Sequence, residues 1–287
     1  MSDRRPGTPL LGRRPTRLAT VSRVDIERGM AATIPYAAVG SGRTVVVCAG
    51  LWPTTGVDSE RLVRGAIIPL RRMVGRRIVV FNRRRNLPTD ISMRELAAEY
   101  ADAIRSDLGS PVDVLGTSTG GSIAQQVAAD HPDVIRRLVL LSTACRLETT
   151  GREVQSRVAE YLRGGQDRSA VATLCADLAP VGFRTLARGV GWAAAHRVLA
   201  DATNAADLAS TLEAEDSFDL AQCSKAIEAI TLIVAGGRDR YYSRELFVET
   251  AVLIPNSDLR IFRRRGHITV ASDPRAQATI AGFLSES

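Results

Sequence analysis

Hydrophobic positions along this chain fall into short continuous runs, separated by longer segments in which apolar residues recur every three or four positions. The short runs are typical of strands buried on both faces of a sheet, and the longer spacing is typical of amphipathic helices. The runs predict strands at Thr44–Ala49, Ile78–Phe81, Val112–Leu115, Ile135–Ser142, Ile230–Ala235 and Leu259–Phe262. The helical spacing predicts helices at Arg61–Val74, Ser92–Leu108 and Ser243–Val252, from Ser122 onward and from Asp273 onward.

Two further strands are predicted before the first buried run. They span Ala19–Ile26 and Ala31–Val39, with Glu27-Arg28-Gly29 as the hairpin turn. Strands that alternate with helices at this spacing form a mostly parallel sheet, because each helix returns the chain to the edge where the next strand begins. The predicted fold is therefore α/β, with a mostly parallel eight-stranded sheet and helices on both of its faces.

Two segments depart from the alternation of strands and helices. Residues 1–17 are rich in arginine, proline and glycine, which predicts a mobile basic N-terminal arm. Residues 146–225 are rich in alanine and arginine, have helical spacing and contain no buried strand. We interpret residues 146–225 as an inserted helical cap, and residues 18–145 together with 226–287 as the core of the fold.

The charge of the chain does not indicate a nucleic-acid partner. The formal net charge is +7 and the sequence pI is about 9.8, but Lys225 is the only lysine and the arginines are scattered along the chain. No basic stripe interleaves with aromatic residues, as a groove for single-stranded nucleic acid requires. We therefore expect a small-molecule substrate, and arginine also suits substrates that carry carboxylate or phosphate groups.

The remaining composition argues against several other classes of protein. The four cysteines form no C-x-x-C pair, so the sequence indicates no metal site, no redox motif and no cofactor. Cys48 and Cys145 lie in or beside apolar runs and are predicted to be buried. The chain starts with polar residues and has no apolar run long enough to cross a membrane, so a cytoplasmic location is expected. The oligomeric state is left open.

The most informative motif is the stretch Gly116–Gly121, which has the pattern G-x-S-x-G around Ser118. It follows the predicted strand Val112–Leu115 and precedes a predicted helix. A sharp turn from strand to helix strains the central residue and lifts its hydroxyl above the sheet edge. Glycines on either side are needed because larger side chains would collide with the neighbouring elements. Ser118 is therefore the candidate nucleophile.

A serine nucleophile needs a base within hydrogen-bond reach, and the chain has only three histidines. His131 lies at the end of the helix that follows Ser118, and His196 lies in the predicted cap. His267 follows the strand Leu259–Phe262, at the edge of the sheet where active sites of α/β folds gather. His267 is the candidate base.

The acid that orients the base is expected between the serine and the histidine, at the end of another strand. Asp239 lies in a glycine turn just after Ile230–Ala235. Its other possible role is to cap the helix that begins near Ser243. Glu148, a few residues into the predicted cap, is the rival acid.

An acyl-transfer intermediate also needs two backbone N–H donors for its oxyanion. One is expected from Thr119, directly after the nucleophile, and the other from Leu51 or Trp52 in the loop after Thr44–Ala49. The Trp52 side chain is also a candidate for binding the substrate.

The order Ser118, Asp239, His267 on strand ends, with a helical insert, resembles the α/β-hydrolase fold superfamily over residues 18–285. The resemblance implies a serine hydrolase that cleaves a small ester, lactone or thioester through an acyl-enzyme, with the cap shaping the pocket. A lyase, an acyltransferase or a carbon–carbon bond hydrolase that uses the same residues is the alternative, and a non-catalytic ligand-binding protein on this fold is the third. Serine in place of aspartate argues against haloalkane dehalogenases and epoxide hydrolases.

The chain departs from the pattern of the superfamily in two loops. Ala49 stands where many relatives have histidine, and a cationic turn at Asn82–Pro88 replaces a glycine-rich one. One of Arg83, Arg84 and Arg85 is expected to pack against the loop at Ala49–Pro53, while another could face an anionic substrate. The alternative is that all three serve only the structure or the surface.

Overall fold

A computed structural model describes residues 25–179, 181–199, 202–223 and 225–286 of the chain. The predicted arm at residues 1–17 and most of the predicted strand Ala19–Ile26 lie outside the described residues.

The described residues form one sheet of eight strands in the order β1-β2-β4-β3-β5-β6-β7-β8. The first two pairings, β1 with β2 and β2 with β4, are antiparallel, and every other neighbouring pair is parallel. The mostly parallel eight-stranded sheet predicted from the apolar runs is confirmed. The strands are β1 Glu27–Ala31, β2 Ile34–Val39, β3 Arg43–Cys48, β4 Arg76–Phe81, β5 Val112–Thr117, β6 Ile135–Leu141, β7 Ile230–Gly236 and β8 Ser257–Phe262.

The predicted position of the hairpin turn is wrong. Residues 27–29 lie inside β1, and the chain reverses at Ala32 and Thr33. Ala32 has φ of 46°, and its N–H donates to Asp107 Oδ2 at 2.9 Å. A side chain far along the sequence thus supports a positive φ at a residue that rarely adopts one, whereas Gly29 adopts a strand conformation.

Helices cover both faces of the sheet. Leu96 of α2 and Phe247 of α8 belong to the apolar core on one face, and Val63 of α1 and Ile280 of α9 belong to the core on the other. The helices of the described residues are α1 Glu60–Ala66, α2 Met93–Ala103, α3 Thr119–Asp130, α4 Thr149–Arg163, α5 Asp167–Leu178, α6 Arg184–Val198, α7 Ala202–Asp216, α8 Arg244–Leu253 and α9 Pro274–Ser285.

Several helix boundaries differ from the predicted ones for local reasons. α1 ends at Ala66 and continues as a 3-10 turn at Ile68–Leu70, because Pro69 has no N–H to donate to the preceding turn. α3 begins at Thr119 rather than at Ser122. Gly120 and Gly121 are weak helix formers, so the periodic pattern starts later than the helix itself.

Helices α4–α7 are inserted between β6 and β7 as the predicted helical cap. They share an apolar cluster of their own, which includes Val158, Val171, Leu208 and Leu212. The predicted limits of the cap at residues 146 and 225, and of the two parts of the core, stay predictions. Every helix of the described residues is too short or too polar to span a bilayer.

Candidate active site

Four loops meet at one edge of the sheet because β3, β5, β7 and β8 run parallel and end there. Ser118 directly follows β5. Asp239 comes three residues after the last residue of β7, and His267 follows β8. The loop that contains Leu51 and Trp52 follows β3.

Ser118 occupies a strained turn between β5 and α3, with φ of 51° and ψ of −127°. Non-glycine residues seldom adopt a positive φ, and such strain persists only where the surrounding packing enforces it. Here the packing is tight on both sides of the serine. A Cβ at Gly116 would lie 2.7 Å from the Ala124 Cβ, and a Cβ at Gly120 would overlap the carbonyl oxygens of the β3 loop. Strand and helix therefore approach as closely as glycine permits.

The structure brings Ser118, His267 and Asp239 into one hydrogen-bonded chain. The Asp239 carboxylate accepts from His267 Nδ1, with the two oxygens at 2.9 and 3.1 Å. Because Nδ1 then carries the proton, Nε2 accepts from the Ser118 hydroxyl, whose Oγ lies 3.0 Å away. The Asp239 side chain is fully buried, while 15% of the His267 side chain is exposed. This arrangement can move a proton from the serine to the imidazole.

Neighbouring groups fix the orientation of the imidazole and its acid. The Tyr241 N–H donates to Asp239 Oδ1 at 2.9 Å, and the Ser142 hydroxyl donates to the His267 carbonyl at 2.7 Å. The rings of Tyr241 and Tyr242 have centroids 4.8 and 5.9 Å from that of His267. Burial raises the pKa of both tyrosines, so their rings stay neutral beside the imidazole.

The other candidate bases and the rival acid take part in different contacts. His131 ends α3, where its N–H donates to the Val127 carbonyl at 2.8 Å, and His196 is exposed on α6. Glu148 accepts a hydrogen bond from Ser243, which caps α8. The hydrogen bonds of the described residues link none of these three side chains to Ser118.

The loop after β3 packs directly on the serine turn. A Cβ at Gly50 would lie 3.1 Å from the Thr117 carbonyl oxygen and 3.5 Å from the Ser118 Cβ. Among the described residues, the backbone N–H groups of Leu51, Trp52 and Thr119 donate to no protein acceptor. Free donors beside a nucleophile are what an oxyanion requires.

The Arg83 side chain holds the loop after β3 in place. This side chain is buried, and Nη2 donates to the Trp52 carbonyl at 2.8 Å. Burial lowers the pKa of Arg83 to about 10, which still leaves the guanidinium charged near neutral pH. Arg83 therefore makes the contact with the loop at Ala49–Pro53 that the cationic turn led us to expect. Arg84 pairs instead with Glu99 at 2.8 Å, and contact of the turn with an anionic substrate stays a prediction.

The side chains of Leu51 and Trp52 pack in different apolar clusters. Leu51 is partly buried and packs against the apolar cluster of the cap. Trp52 is 7% exposed and belongs to the same apolar core as Val57 and Val63. A direct contact between Trp52 and a substrate stays a prediction.

Sequence reasoning missed Glu215, a fully buried carboxylate of the cap. Glu215 Oε2 accepts from the Thr119 hydroxyl at 2.7 Å, next to the nucleophile. A signal was present, because helical spacing places Glu215 on the same side of α7 as the buried Leu208 and Leu212. A carboxylate on an apolar face needs partners from elsewhere in the fold.

Within the described part of the chain, no group of three or more His, Cys, Asp or Glu side chains is arranged to hold a metal ion. Cys48 and Cys145 are buried, as predicted.

Comparisons with known proteins agree with the fold. Residues 45–280 match the model of the alpha/beta hydrolase family. An alpha/beta hydrolase enzyme from a Medee basin deep-sea metagenome library superposes with a TM-score of 0.73 at 14% identity, over 91% of this chain and 98% of that one. The enol-lactonase of Burkholderia xenovorans superposes with a TM-score of 0.67 at 19% identity, over 91% of this chain and 100% of that one.

One curated relative is more similar over a short stretch. A pimeloyl-[acyl-carrier protein] methyl ester esterase of Neisseria meningitidis is 45% identical over 47 residues, which is 16% of this chain and 18% of the esterase. The chain therefore matches less than a fifth of the length of that relative.

Proposed function

Because the chain belongs to the alpha/beta hydrolase family, we propose that it is a serine hydrolase that cleaves a small ester, lactone or thioester. Ser118 is the nucleophile, His267 the base and Asp239 the residue that orients the base. The observation that carries the proposal is the continuous hydrogen-bonded chain from Asp239 through His267 to the Ser118 hydroxyl. The names of relatives, which include an esterase and an enol-lactonase, favour an ester bond as the target.

In the first half of the reaction, Ser118 Oγ attacks the carbonyl carbon while its proton passes to His267 Nε2. The oxyanion accepts hydrogen bonds from the Thr119 N–H and from the N–H of Leu51 or Trp52, with the N-terminus of α3 adding a favourable dipole. The imidazolium then protonates the leaving group, and an acyl-enzyme remains on Ser118. In the second half, His267 takes a proton from water, which attacks the acyl carbon. The imidazolium then returns that proton to Ser118 Oγ as the bond between Oγ and the acyl carbon breaks and the acid leaves.

A fluorophosphonate probe tests the nucleophile without knowledge of the substrate. We expect wild type to gain one adduct, and Ser118→Ala to gain none. The three histidines supply a matched comparison: His267→Gln should abolish labelling, whereas His131→Gln and His196→Gln should label at the wild-type rate. A wild-type protein that resists the probe under conditions that label other esterases would overturn the proposal.

Substrate class is tested by a panel of p-nitrophenyl esters of graded chain length, simple lactones and acyl-thioesters. Turnover in ¹⁸O-labelled water separates hydrolysis from acyl transfer or lyase chemistry, because only hydrolysis of an acyl-enzyme places solvent oxygen in the acid product. We expect one labelled oxygen per turnover. An unlabelled acid would favour the alternative chemistry.

A further inference from the structure

Helix α7 of the cap presents buried polar side chains to the loops that frame Ser118. Asn204 Oδ1 accepts from the N–H and the hydroxyl of Thr55, in the loop after β3, at 3.1 and 2.5 Å. The Asp207 carboxylate accepts from the N–H groups of Asn86 and Leu87, in the loop after β4, at 3.2 and 2.8 Å. These contacts fasten the cap to two sides of the site. The third contact is made by Glu215.

Glu215 reaches the first turn of α3, which begins next to the nucleophile. Oε2 accepts from the Thr119 hydroxyl at 2.7 Å and from Gln155 Nε2 of α4 at 3.1 Å. Oε1 accepts from the Ser122 hydroxyl at 3.2 Å. The side chain is inaccessible to solvent, and it makes no ion pair with any other described residue. A buried charge without a cationic partner is costly and needs a compensating role.

The partners of Glu215 are those of an ionised carboxylate. Two hydroxyls and an amide nitrogen donate to it, and a carboxylate only accepts. The N-terminal turn of a helix also favours an anion. Burial raises the pKa of Glu215, while these hydrogen bonds and the charge of protonated His267 lower it.

We propose that Glu215 is a positioning residue for the reaction at Ser118: its carboxylate fixes the first turn of α3 under the cap. The inference rests on the proposed function. It assigns the cap a direct part in aligning the nucleophile and the Thr119 amide, beyond shaping a pocket.

The test compares Glu215→Gln with Glu213→Gln on a p-nitrophenyl ester. Both variants remove one negative charge from α7, but Glu213 is exposed and pairs with Arg163. For Glu215→Gln we expect kcat to fall about 10-fold with KM changed less than about twofold. Glu215→Asp, which keeps a carboxylate on α7, should recover part of that loss, and Glu213→Gln should match wild type.

The same loss is measured without turnover, from the rate of fluorophosphonate labelling. A folded Glu215→Gln with wild-type kcat and a wild-type labelling rate overturns the inference. If Glu215→Gln does not fold, Thr119→Val carries the test: it loses the hydroxyl donor to Glu215 and should lose kcat about 10-fold, and a wild-type kcat in this variant contradicts the inference. A wild type that does not label at all refutes the proposed function instead, and the inference with it.

Discussion

Replacing Gly116 with alanine tests how tightly the turn at Ser118 is built. A Cβ there would lie 2.7 Å from three atoms at once: the carbonyl oxygen of Gly120, the Cα of Gly121 and the Cβ of Ala124. Ordinary van der Waals contact begins at 3.4 Å, so β5 and α3 must separate by about 0.7 Å (3.4 − 2.7). None of the three atoms is the tip of a flexible side chain. The helix must therefore move as a unit.

The size of the effect follows from that displacement. Overfilling a packed interior costs about 1–3 kcal/mol, which lowers the Tm of a protein of this size by roughly 2–12 °C. Because α3 starts beside Ser118, the same movement shifts Oγ relative to His267 Nε2 and shifts the Thr119 amide. A misplacement approaching 1 Å lowers rates about 100-fold, so we expect kcat/KM for a p-nitrophenyl ester to fall about 10- to 100-fold.

The assay pairs Gly116→Ala with Gly189→Ala. Gly189 lies on α6 where an added Cβ meets no atom within 4 Å, and alanine there favours the helix by about 0.5–1 kcal/mol. Thermal unfolding and ester hydrolysis should show a stable, fully active Gly189→Ala and a weakened, slow Gly116→Ala. Wild-type Tm and kcat/KM for Gly116→Ala would refute the reasoning that close packing of β5 on α3 fixes the nucleophile.

Three further predictions concern buried polar groups. Arg83→Met removes the donor to the Trp52 carbonyl, so kcat/KM should fall about 10- to 100-fold. Arg84→Met should keep the wild-type kcat/KM. Equal kcat/KM values in the two variants would contradict a role of Arg83 in holding the loop at Ala49–Pro53. Burial raises the pKa of Glu215 above its ordinary value of 4.5. Ionisation of Glu215 therefore opposes folding above pH 4.5 and not below it. The Tm of Glu215→Gln, measured by thermal shift, should exceed that of wild type at pH 8 but not below pH 4.5. A difference in Tm between Glu215→Gln and wild type that does not change with pH would contradict this prediction. Burial raises the pKa of the Cys48 thiol to about 12, so Ellman's reagent at pH 8 should modify Cys48 only after unfolding; peptide mapping that finds it modified in the native protein would contradict this.

The parallel strands could be predicted because burial on both faces leaves a continuous apolar run, as at Thr44–Ala49 and Ile230–Ala235. The hairpin turn could not be placed. Its positive φ falls on Ala32 and is supported by Asp107, a contact between residues 75 positions apart. Local turn chemistry instead favoured Gly29, which the fold uses in a strand.

The candidate site could also be predicted only in part. Ser118, Asp239 and His267 each follow a strand, and parallel strands bring their ends together, so sequence order alone suggested the arrangement. The helical spacing of α7 could have marked Glu215 as buried, but its contact with Thr119 could not be predicted, because that hydrogen bond joins residues 96 positions apart and depends on how the cap docks. The general contact of the cationic turn with the oxyanion loop was anticipated, but only packing assigns it to Arg83.

The most direct test of the account is the site of acyl-enzyme formation. Wild type is mixed with a p-nitrophenyl ester, quenched in acid within the first turnover and mapped by tandem mass spectrometry. The account predicts the mass of one acyl group on the peptide that contains Ser118, located on that serine, and its absence in Ser118→Ala. An acyl group on any other residue, or turnover that persists in Ser118→Ala, would contradict the account.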